Sequence, residues 1–144
     1  MSESGLMQGV SVKPVALRGG CHCRAVRFVV TVRSADPEAI VCDCSICTQK
    51  GFVHLIVPAT DFELVSGEGA LTEYRFGTRT ARHLFCRVCG IHSFYRPRSH
   101  PDGHSVNVRC LDDGDRAVAE GFRRVGFHGR DWDAHIDEIA GHDR

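Results

Sequence analysis

The sequence predicts a mainly β domain, a small antiparallel β barrel or sandwich with metal-binding loops and a short C-terminal helix. Two observations lead to this fold class. Short runs of alternating polar and apolar residues begin near Gly19 and are separated by Gly and Pro turns. In addition, seven of the eight cysteines fall in three close groups, which is the pattern of loops that are held by zinc.

The strands are predicted from period-two alternation. Residues 25–33 alternate regularly and are expected to form a half-buried strand. Residues 54–57 form a short apolar run that stops at Pro58. Residues 82–86 and 92–96 flank a Cys-x-x-Cys turn like the arms of a hairpin. Further strands are predicted at 62–66 and 72–76, and at 106–110, where Val106, Val108 and Cys110 share one face.

Helix signals are few. Residues 131–139 are expected to form the C-terminal helix, with Asp131 as its N-cap and with Trp132, Ile136 and Ile139 on one face. A helical turn is also expected within residues 34–40.

The length and composition are those of one globular domain, since 144 residues with 42% hydrophobic and 25% charged side chains can bury a real core. Residues 1–17 mix Ser, Gly and Pro with little periodicity, and are expected to be a flexible N-terminal arm. Residues 18–144 are expected to form a single zinc-binding domain.

Charge and hydropathy exclude several classes of partner. The formal net charge is +0, so neither nucleic acid nor an anionic membrane surface is an expected partner. There is no run of about 18 apolar residues, so no membrane helix is expected. The first ten residues lack a signal-peptide pattern, which favours a cytoplasmic location. In that reducing compartment, clustered cysteines are more often metal ligands or catalytic groups than disulfides.

Two cysteine pairs predict a closed, structural zinc site. Cys86 and Cys89 form a Cys-x-x-Cys pair, and Gly90 follows at the position of a tight turn. Cys21 and Cys23 form the matching pair. Structural zinc is usually bound by four ligands that come as two close pairs from separate loops. The alternatives are core thiols without a ligand, or disulfides.

The middle group predicts a second, open zinc site. Cys42, Cys44 and Cys47 place three sulfurs within one short segment. Three protein ligands with one further position are typical of catalytic zinc, and a three-thiolate centre suits the capture of an incoming thiol as its thiolate. An iron–sulfur cluster fits the spacing poorly. The main alternative is a site closed by a fourth residue: Cys110, His54, His83 or Asp43.

Other side chains are weaker candidates. Cys110 is expected to be a buried apolar cysteine. His54 follows the open cluster and is the candidate catalytic residue, as an acid that protonates a product oxygen. Lys50 either lines the same pocket or, as the favoured interpretation, is a solvated loop charge. Several arginines could bind a substrate carboxylate, namely Arg96, Arg98, Arg109, Arg123 and Arg124.

Three cysteine-containing segments carry a resemblance to a known family, namely GGCHC at 19–23, CDCSIC at 42–47 and FCRVCG at 85–90. They resemble the glutathione-dependent formaldehyde-activating enzyme family. Later segments resemble its centromere protein V branch, namely SFYRPRS at 93–99, VN at 106–107 and CLD at 110–112. One departure is Arg24, because the family usually has Gly after the first cysteine pair.

The resemblance implies an Mss4-like, mainly β fold with two zinc ions per chain. It implies a structural zinc on Cys21, Cys23, Cys86 and Cys89, and a catalytic zinc on Cys42, Cys44 and Cys47. It also implies carbon–sulfur lyase or synthase chemistry that joins formaldehyde to glutathione as S-hydroxymethylglutathione, with a glutathione-like thiol as the small-molecule partner. The alternative function is a non-catalytic zinc-binding module for a macromolecular partner, with two closed sites and an exposed apolar patch.

Overall fold

The computed structural model describes residues 13–76, 82–97, 100 and 102–129. This part of the chain is mainly β, as predicted, and its sheets are consistent with an Mss4-like fold. Its strands are β1 Val15–Gly20, β2 Arg27–Val32, β3 Glu38–Cys42, β4 Val53–Pro58, β5 Phe62–Ser66, β6 Leu71–Tyr74, β7 His83–Cys86, β8 Phe94–Tyr95, β9 Gly103–Asn107 and β10 Arg123–Phe127. Its α-helices are α1 Ser45–Lys50 and α2 Asp113–Glu120.

The described strands form three sheets. A five-stranded sheet has the order β10-β3-β4-β9-β8, a second sheet has the order β1-β2-β5, and β6 pairs with β7. All neighbours are antiparallel except β10 and β3, which run parallel. Parallel neighbours need a long connection, and most of the domain lies between these two strands. The antiparallel expectation therefore holds for every described pair but this one.

The main core lies between the five-stranded and three-stranded sheets. Phe28 of β2 and Leu17 of β1 pack with Leu55, Phe94 and Val106 from the larger sheet. In β2 every second side chain is buried, which confirms the half-buried strand that the alternation predicted. A smaller, separate core holds Ile40, Phe127, Cys42 and Cys47. The two predicted cysteine sites therefore belong to different packing units.

Two local predictions are wrong. Residues 34–40 do not form a helical turn, because the Ser34 hydroxyl accepts a hydrogen bond of 3.0 Å from Asp36 N and Pro37 then leads into β3. The strand predicted at 106–110 ends at Asn107, and Val108–Cys110 forms a 3₁₀ turn. The Asn107 side chain caps that turn by accepting a hydrogen bond of 3.1 Å from Arg109 N.

At the chain ends, β1 begins at Val15, so the sheet takes in the last three residues of the predicted arm. The predicted helix at 131–139 lies outside the described residues. Neither α1 nor α2 was predicted from the sequence. The first is only six residues long and falls inside the second cysteine group. None of the helices in the described ranges is long and apolar enough to cross a membrane.

Candidate metal centres and the adjoining pocket

The first cysteine cluster joins two turns that are far apart in the sequence. Cys21 and Cys23 lie in the turn between β1 and β2, whereas Cys86 ends β7 and Cys89 lies in the turn that follows. Their four sulfurs all lie within 4.8 Å of one another. All eight cysteines are free, so the disulfide alternative does not apply here. The grouping that the sequence spacing predicted is the one that the fold brings together.

The distances in this cluster fit zinc. The Cys21 and Cys23 sulfurs are 3.6 Å apart, and those of Cys23 and Cys86 are 3.7 Å apart. A tetrahedral zinc with Zn–S bonds of about 2.3 Å places its sulfurs about 3.8 Å apart. Val26 N and Val88 N point at the sulfurs of Cys21 and Cys86, at 3.3 and 3.4 Å, and such N–H groups stabilise thiolates.

Small residues allow the two turns to meet. A Cβ atom on Gly20 would lie 1.9 Å from the carbonyl oxygen of Val26, so only glycine fits where β1 enters the cysteine turn. Gly90 has a φ of 79°, which confirms that a tight turn follows the second pair. Arg24 also has a positive φ, 70°, and this explains why a family with this turn usually has glycine there.

The second cluster is built at the junction of β3 and α1. Cys42 is the last residue of β3, Cys44 is the N-cap of α1, and Cys47 lies in its first turn. The Cys44 sulfur accepts a hydrogen bond of 3.5 Å from Cys47 N. The three sulfurs lie within 4.8 Å of one another, a spacing that also suits a single metal ion.

The three thiols share their protons unequally. Hydrogen bonds from the Cys42 and Cys47 thiols, followed by those from the N–H groups of Cys47 and Ile46, lower the pKa of Cys44. The same contact with Cys44 raises the pKa of Cys42 to about 11. The cluster therefore favours one thiolate by itself, and a divalent cation would drive off the remaining protons.

No fourth ligand joins this cluster within the described ranges. Among the described His, Cys, Asp and Glu side chains, only Cys42, Cys44 and Cys47 place their ligand atoms close enough together here to share one metal ion. Cys110 lies elsewhere, with its sulfur 3.7 Å from the carbonyl oxygen of His92. The described residues therefore supply three of the four ligands that tetrahedral zinc takes.

His54 supports the cluster from β4. Its Nε2 atom lies 3.1 Å from the Cys47 sulfur, and its Nδ1 atom lies 2.9 Å from the Ser105 hydroxyl and 3.4 Å from the Tyr95 hydroxyl. Only 2% of its surface is exposed, and burial lowers the pKa of His54 to about 3. The imidazole is therefore neutral, with both ring nitrogens within hydrogen-bonding distance of protein groups.

Gly129 covers the cluster on its other side. Strand β10 pairs with β3, and Asp43 N donates a hydrogen bond of 3.1 Å to the Phe127 carbonyl. This pairing carries Gly129 onto the cysteines, where a Cβ atom would lie 2.4 Å from the Cys42 sulfur and 2.6 Å from the Cys44 Cβ atom. Nothing in the sequence pattern marks this glycine, because the cysteines on which it packs lie more than eighty residues earlier in the chain.

A cavity of about 850 Å³ lies between α1 and the first cluster. Cys21 lies on one wall, and Ile46, Gln49 and Lys50 of α1, which also carries Cys47, lie on another. Its lining includes four cationic side chains, Arg24, Arg27, Arg109 and Lys50, together with Asp112 and the imidazoles of His22 and His92. The cavity is therefore suited to an anionic small molecule.

Only some of these cations already have a protein partner. Arg27 donates two hydrogen bonds to Asp112, of 3.1 and 2.6 Å, and this pair fixes one wall. The described residues place no carboxylate in hydrogen-bonding contact with the side chains of Arg24 and Arg109. Several arginines were predicted as carboxylate-binding candidates. Of these, Arg109 lines the cavity, and Arg98 lies outside the described residues. Arg123, the first residue of β10, instead pairs with Asp36 and Glu38.

Lys50 is not a solvated loop charge, so the favoured interpretation of this residue was wrong. Its Nζ atom lies 3.3 Å from His83 Nδ1 and about equally far from two aromatic rings, 4.7 Å from the Phe52 centroid and 4.5 Å from the Tyr95 centroid. No sequence pattern indicates this, because Lys50 ends α1 whereas His83 and Tyr95 come from β7 and β8.

The comparison with protein families agrees with this geometry. The model of the glutathione-dependent formaldehyde-activating enzyme family matches residues 16–123. The chain belongs to this family. A crystal structure of a Rhodobacter sphaeroides protein is 37% identical, with a TM-score of 0.65, and the match covers 76% of this chain and 100% of that one. Placement in the centromere protein V branch of the family stays a prediction, as does the cytoplasmic location.

Proposed function

We propose that this protein is a zinc-dependent carbon–sulfur lyase or synthase that acts on the adduct of a small thiol and a small aldehyde. Glutathione and formaldehyde, which give S-hydroxymethylglutathione, are the proposed pair. The observation that carries the proposal is the three-cysteine cluster, for which the described residues supply no fourth ligand, on a helix that forms one wall of a basic cavity. Membership of the family supports it.

Each cluster is proposed to hold one zinc ion, a structural ion on Cys21, Cys23, Cys86 and Cys89 and a catalytic ion on Cys42, Cys44 and Cys47. The catalytic zinc, when bound, would stabilise an incoming thiol as its thiolate near neutral pH. The protein around the clusters supplies the binding energy and orientation for the rest of the substrate.

The cavity supports a substrate with carboxylates. Glutathione carries two carboxylates and one thiol, and the side chains of Arg24 and Arg109 are available to bind a carboxylate through paired hydrogen bonds. Arg27 is less available, because Asp112 already occupies its guanidinium group. The cations would hold the anionic ends of the thiol while its sulfur faces α1.

The role of His54 as the catalytic acid stays a proposal. Its contact with the Cys47 sulfur supports a second task, which is to orient that sulfur by donating a hydrogen bond from Nε2 while Nδ1 accepts one from Ser105. His54→Gln should then weaken metal binding at the second cluster, by about tenfold or more.

The rival function, a non-catalytic module with two closed sites, has less support. It needs a fourth protein ligand at the second cluster, and none is present within the described residues.

A titration of the cobalt-substituted protein tests the proposal. Cobalt reports thiolate coordination through its visible absorption, so binding of glutathione at the second cluster should change the spectrum of that site and leave the first unchanged. Cys44→Ser should remove the response, whereas Cys110→Ser is the matched control and should keep it. In parallel, NMR exchange between ¹³C-formaldehyde and S-hydroxymethylglutathione should be faster with the zinc protein than without it. An unchanged spectrum and an unchanged exchange rate would contradict the proposal.

A further inference from the structure

Lys50 has an environment unlike that of an ordinary surface lysine. It is the last residue of α1, three residues after Cys47, and it lines the basic cavity. Its ammonium group lies near the rings of Phe52 and Tyr95, which attract a cation through their π-faces. The side chain is thus held in one place, between the second cluster and the cavity where the substrate is proposed to bind.

His83 completes this environment. Its Nδ1 atom lies 3.3 Å from Lys50 Nζ, and its ring stacks on Tyr95 at a centroid distance of 5.0 Å and an angle of 13°. Burial and the charge of Lys50 lower the pKa of His83 to about 4. The neutral ring can therefore accept a hydrogen bond from the ammonium group, and it orients Lys50 without competing for its proton.

The same surroundings tune the acidity of Lys50. Burial lowers the pKa of Lys50 to about 8, although the thiolates of the second cluster oppose this shift. A divalent cation on that cluster would offset the thiolate charges and so favour a low pKa further. The titratable groups that face Lys50 electrostatically or by contact are Cys42, Cys44, Cys47, His54, His83, His92 and Tyr95.

The choice of lysine is itself informative. The chain contains sixteen arginines and two lysines, Lys13 and Lys50. An arginine would supply a permanent positive charge, but its pKa above about 12 prevents it from releasing a proton near neutral pH. Lys50 is the cation of α1 that lies between the second cluster and the cavity. At this position the chain has lysine, which can release a proton near neutral pH.

We propose that Lys50 is the catalytic proton donor of the carbon–sulfur reaction, an assignment that rests on the proposed function. In synthesis the substrate thiol loses its proton to solvent, its sulfur forms a bond to the aldehyde carbon, and the π electrons of the carbonyl group move to oxygen. The ammonium group of Lys50 gives that oxygen a proton, which yields the hydroxyl group of the hemithioacetal and a neutral amine. Solvent in the cavity returns the proton to the amine. In cleavage the amine takes the hydroxyl proton and the steps reverse.

The pH dependence then has opposite signs in the two directions. Synthesis at saturating substrate needs the ammonium form, so its rate should be maximal well below pH 8 and should fall as the pH rises through the pKa of Lys50, about 8. Cleavage needs the amine, so its rate should rise over the same interval.

Three variants test the assignment. Lys50→Arg keeps the positive charge but cannot release a proton near neutral pH. Lys50→Met removes both the charge and the proton. Lys13→Arg is the matched control, because it alters the only other lysine. We expect Lys50→Arg to lose the limb near pH 8 from the initial rate of synthesis, and to slow exchange between formaldehyde and S-hydroxymethylglutathione by about 10²- to 10⁴-fold. We expect Lys13→Arg to behave as the wild type. Metal content and circular dichroism check that each variant is folded.

A labelling measurement tests the placement of Lys50 without turnover. Trace acetylation of the zinc-loaded protein over a pH series, read by mass spectrometry, reports each lysine separately. Lys50 should reach half of its maximal reactivity near pH 8. Saturating glutathione should protect Lys50 by about tenfold or more and leave Lys13 unchanged. Acetylation of Lys50 that glutathione does not reduce would overturn the assignment.

The kinetic outcomes separate the two proposals. If the wild type catalyses exchange and Lys50→Arg does so equally, with the same pH profile, Lys50 is not the donor and the proposed function stands. If His54→Gln removes the pH limb and Lys50→Arg retains it, the donor is His54. If the wild type does not catalyse exchange, the proposed function fails, and the assignment of Lys50 fails with it.

Discussion

Arg24 shows how a single residue can combine a cost in stability with a position at the site. It is the non-glycine residue with a positive φ among those that the structure describes, and it lines the basic cavity beside the first cluster. A residue with a Cβ atom in the left-handed region costs about 1–2 kcal/mol relative to its preferred conformation. We interpret this cost as the consequence of placing a cation where the family usually has glycine.

Arg24→Gly should raise stability and weaken the binding of an anionic thiol. The glycine relieves the backbone but increases the entropy of the unfolded chain, so the net gain in the free energy of unfolding should be about 0.5–1 kcal/mol. Chemical denaturation measures this gain, and calorimetric titration with glutathione measures the affinity, which should fall severalfold.

Arg24→Ala separates the two effects, because it removes the cation and keeps the Cβ atom. It should lose affinity as Arg24→Gly does, without the gain in stability. Equal stability of the two variants would show that the backbone at this position carries no strain, and unchanged affinity would show that Arg24 does not bind the substrate.

At the same scale, the sequence predicted the two cysteine clusters better than their surroundings. Cys21, Cys23, Cys86 and Cys89 could be paired by spacing because zinc ligands come in local pairs. The environment of Lys50 could not be predicted, because it depends on His83 and Tyr95, which only the tertiary fold brings close. The sequence places Lys50 near the cluster, but its burial is a property of the folded chain.

At the scale of elements, β10 serves the site as a cover. It pairs with β3 along its whole length, from Arg123 beside Glu38 to Phe127 beside Cys42, and it leads directly to Gly129. The second cluster thus depends on a strand from a distant part of the sequence, although its three cysteines are local.

Gly129→Ala should disturb the second cluster and spare the first. The added methyl group would meet the Cys42 sulfur and the Cys44 backbone, so either the cover or the ligands must move. We expect metal affinity at the second cluster to fall by about tenfold or more, with a loss of about 1–3 kcal/mol in the free energy of unfolding. Competition with a zinc chelator measures the first quantity, and denaturation measures the second.

Gly126→Ala is the matched control, because Gly126 lies in the strand that leads to Gly129 and has open space where its Cβ atom would be. It should leave metal binding at both clusters unchanged. Equal effects of the two substitutions would mean that Gly129 does not pack on the cysteines.

The elements that the sequence predicted are those with a clear period. Strand β2 alternates over its whole length, and burial follows the alternation. Helix α2 was missed because it is short and mostly polar, with only Ala119 buried among its eight residues. The turn at Val108–Cys110 was missed for another reason. Val106, Val108 and Cys110 alternate as in a strand, but the side chain of Asn107 ends the strand by capping the turn.

At the scale of the whole molecule, the two clusters differ in what they hold together. Cys21 and Cys86 belong to the main core, whereas Cys42 and Cys47 belong to the smaller core with Ile40 and Phe127. The first cluster also joins turns that lie more than sixty residues apart in the sequence. Its metal should therefore contribute to the stability of the entire domain.

Cys86→Ser should lower the free energy of unfolding by several kcal/mol, because binding of a structural metal is coupled to folding. Cys44→Ser should lose one metal ion per chain but lower the free energy of unfolding less, because the cysteines of the second cluster are close together in the sequence. Denaturation in parallel with metal analysis compares the two. Cys110→Ser should keep the metal content of the wild type, since its sulfur contacts the carbonyl oxygen of His92 and neither cluster.

A larger loss of stability from Cys44→Ser than from Cys86→Ser would reverse this assignment of roles. The second cluster would then be the structural one.

The distribution of the cysteines along the chain also sets an order of assembly during synthesis. Cys42, Cys44 and Cys47 leave the ribosome almost together, so they can capture a metal ion while the rest of the domain is still being made. The first cluster cannot close until Cys89 has emerged, and β10 covers the second only after that. The three-thiol segment therefore stays uncovered until β10 has been made, and the supply of a metal ion to the nascent chain should decide whether that segment is loaded or oxidised.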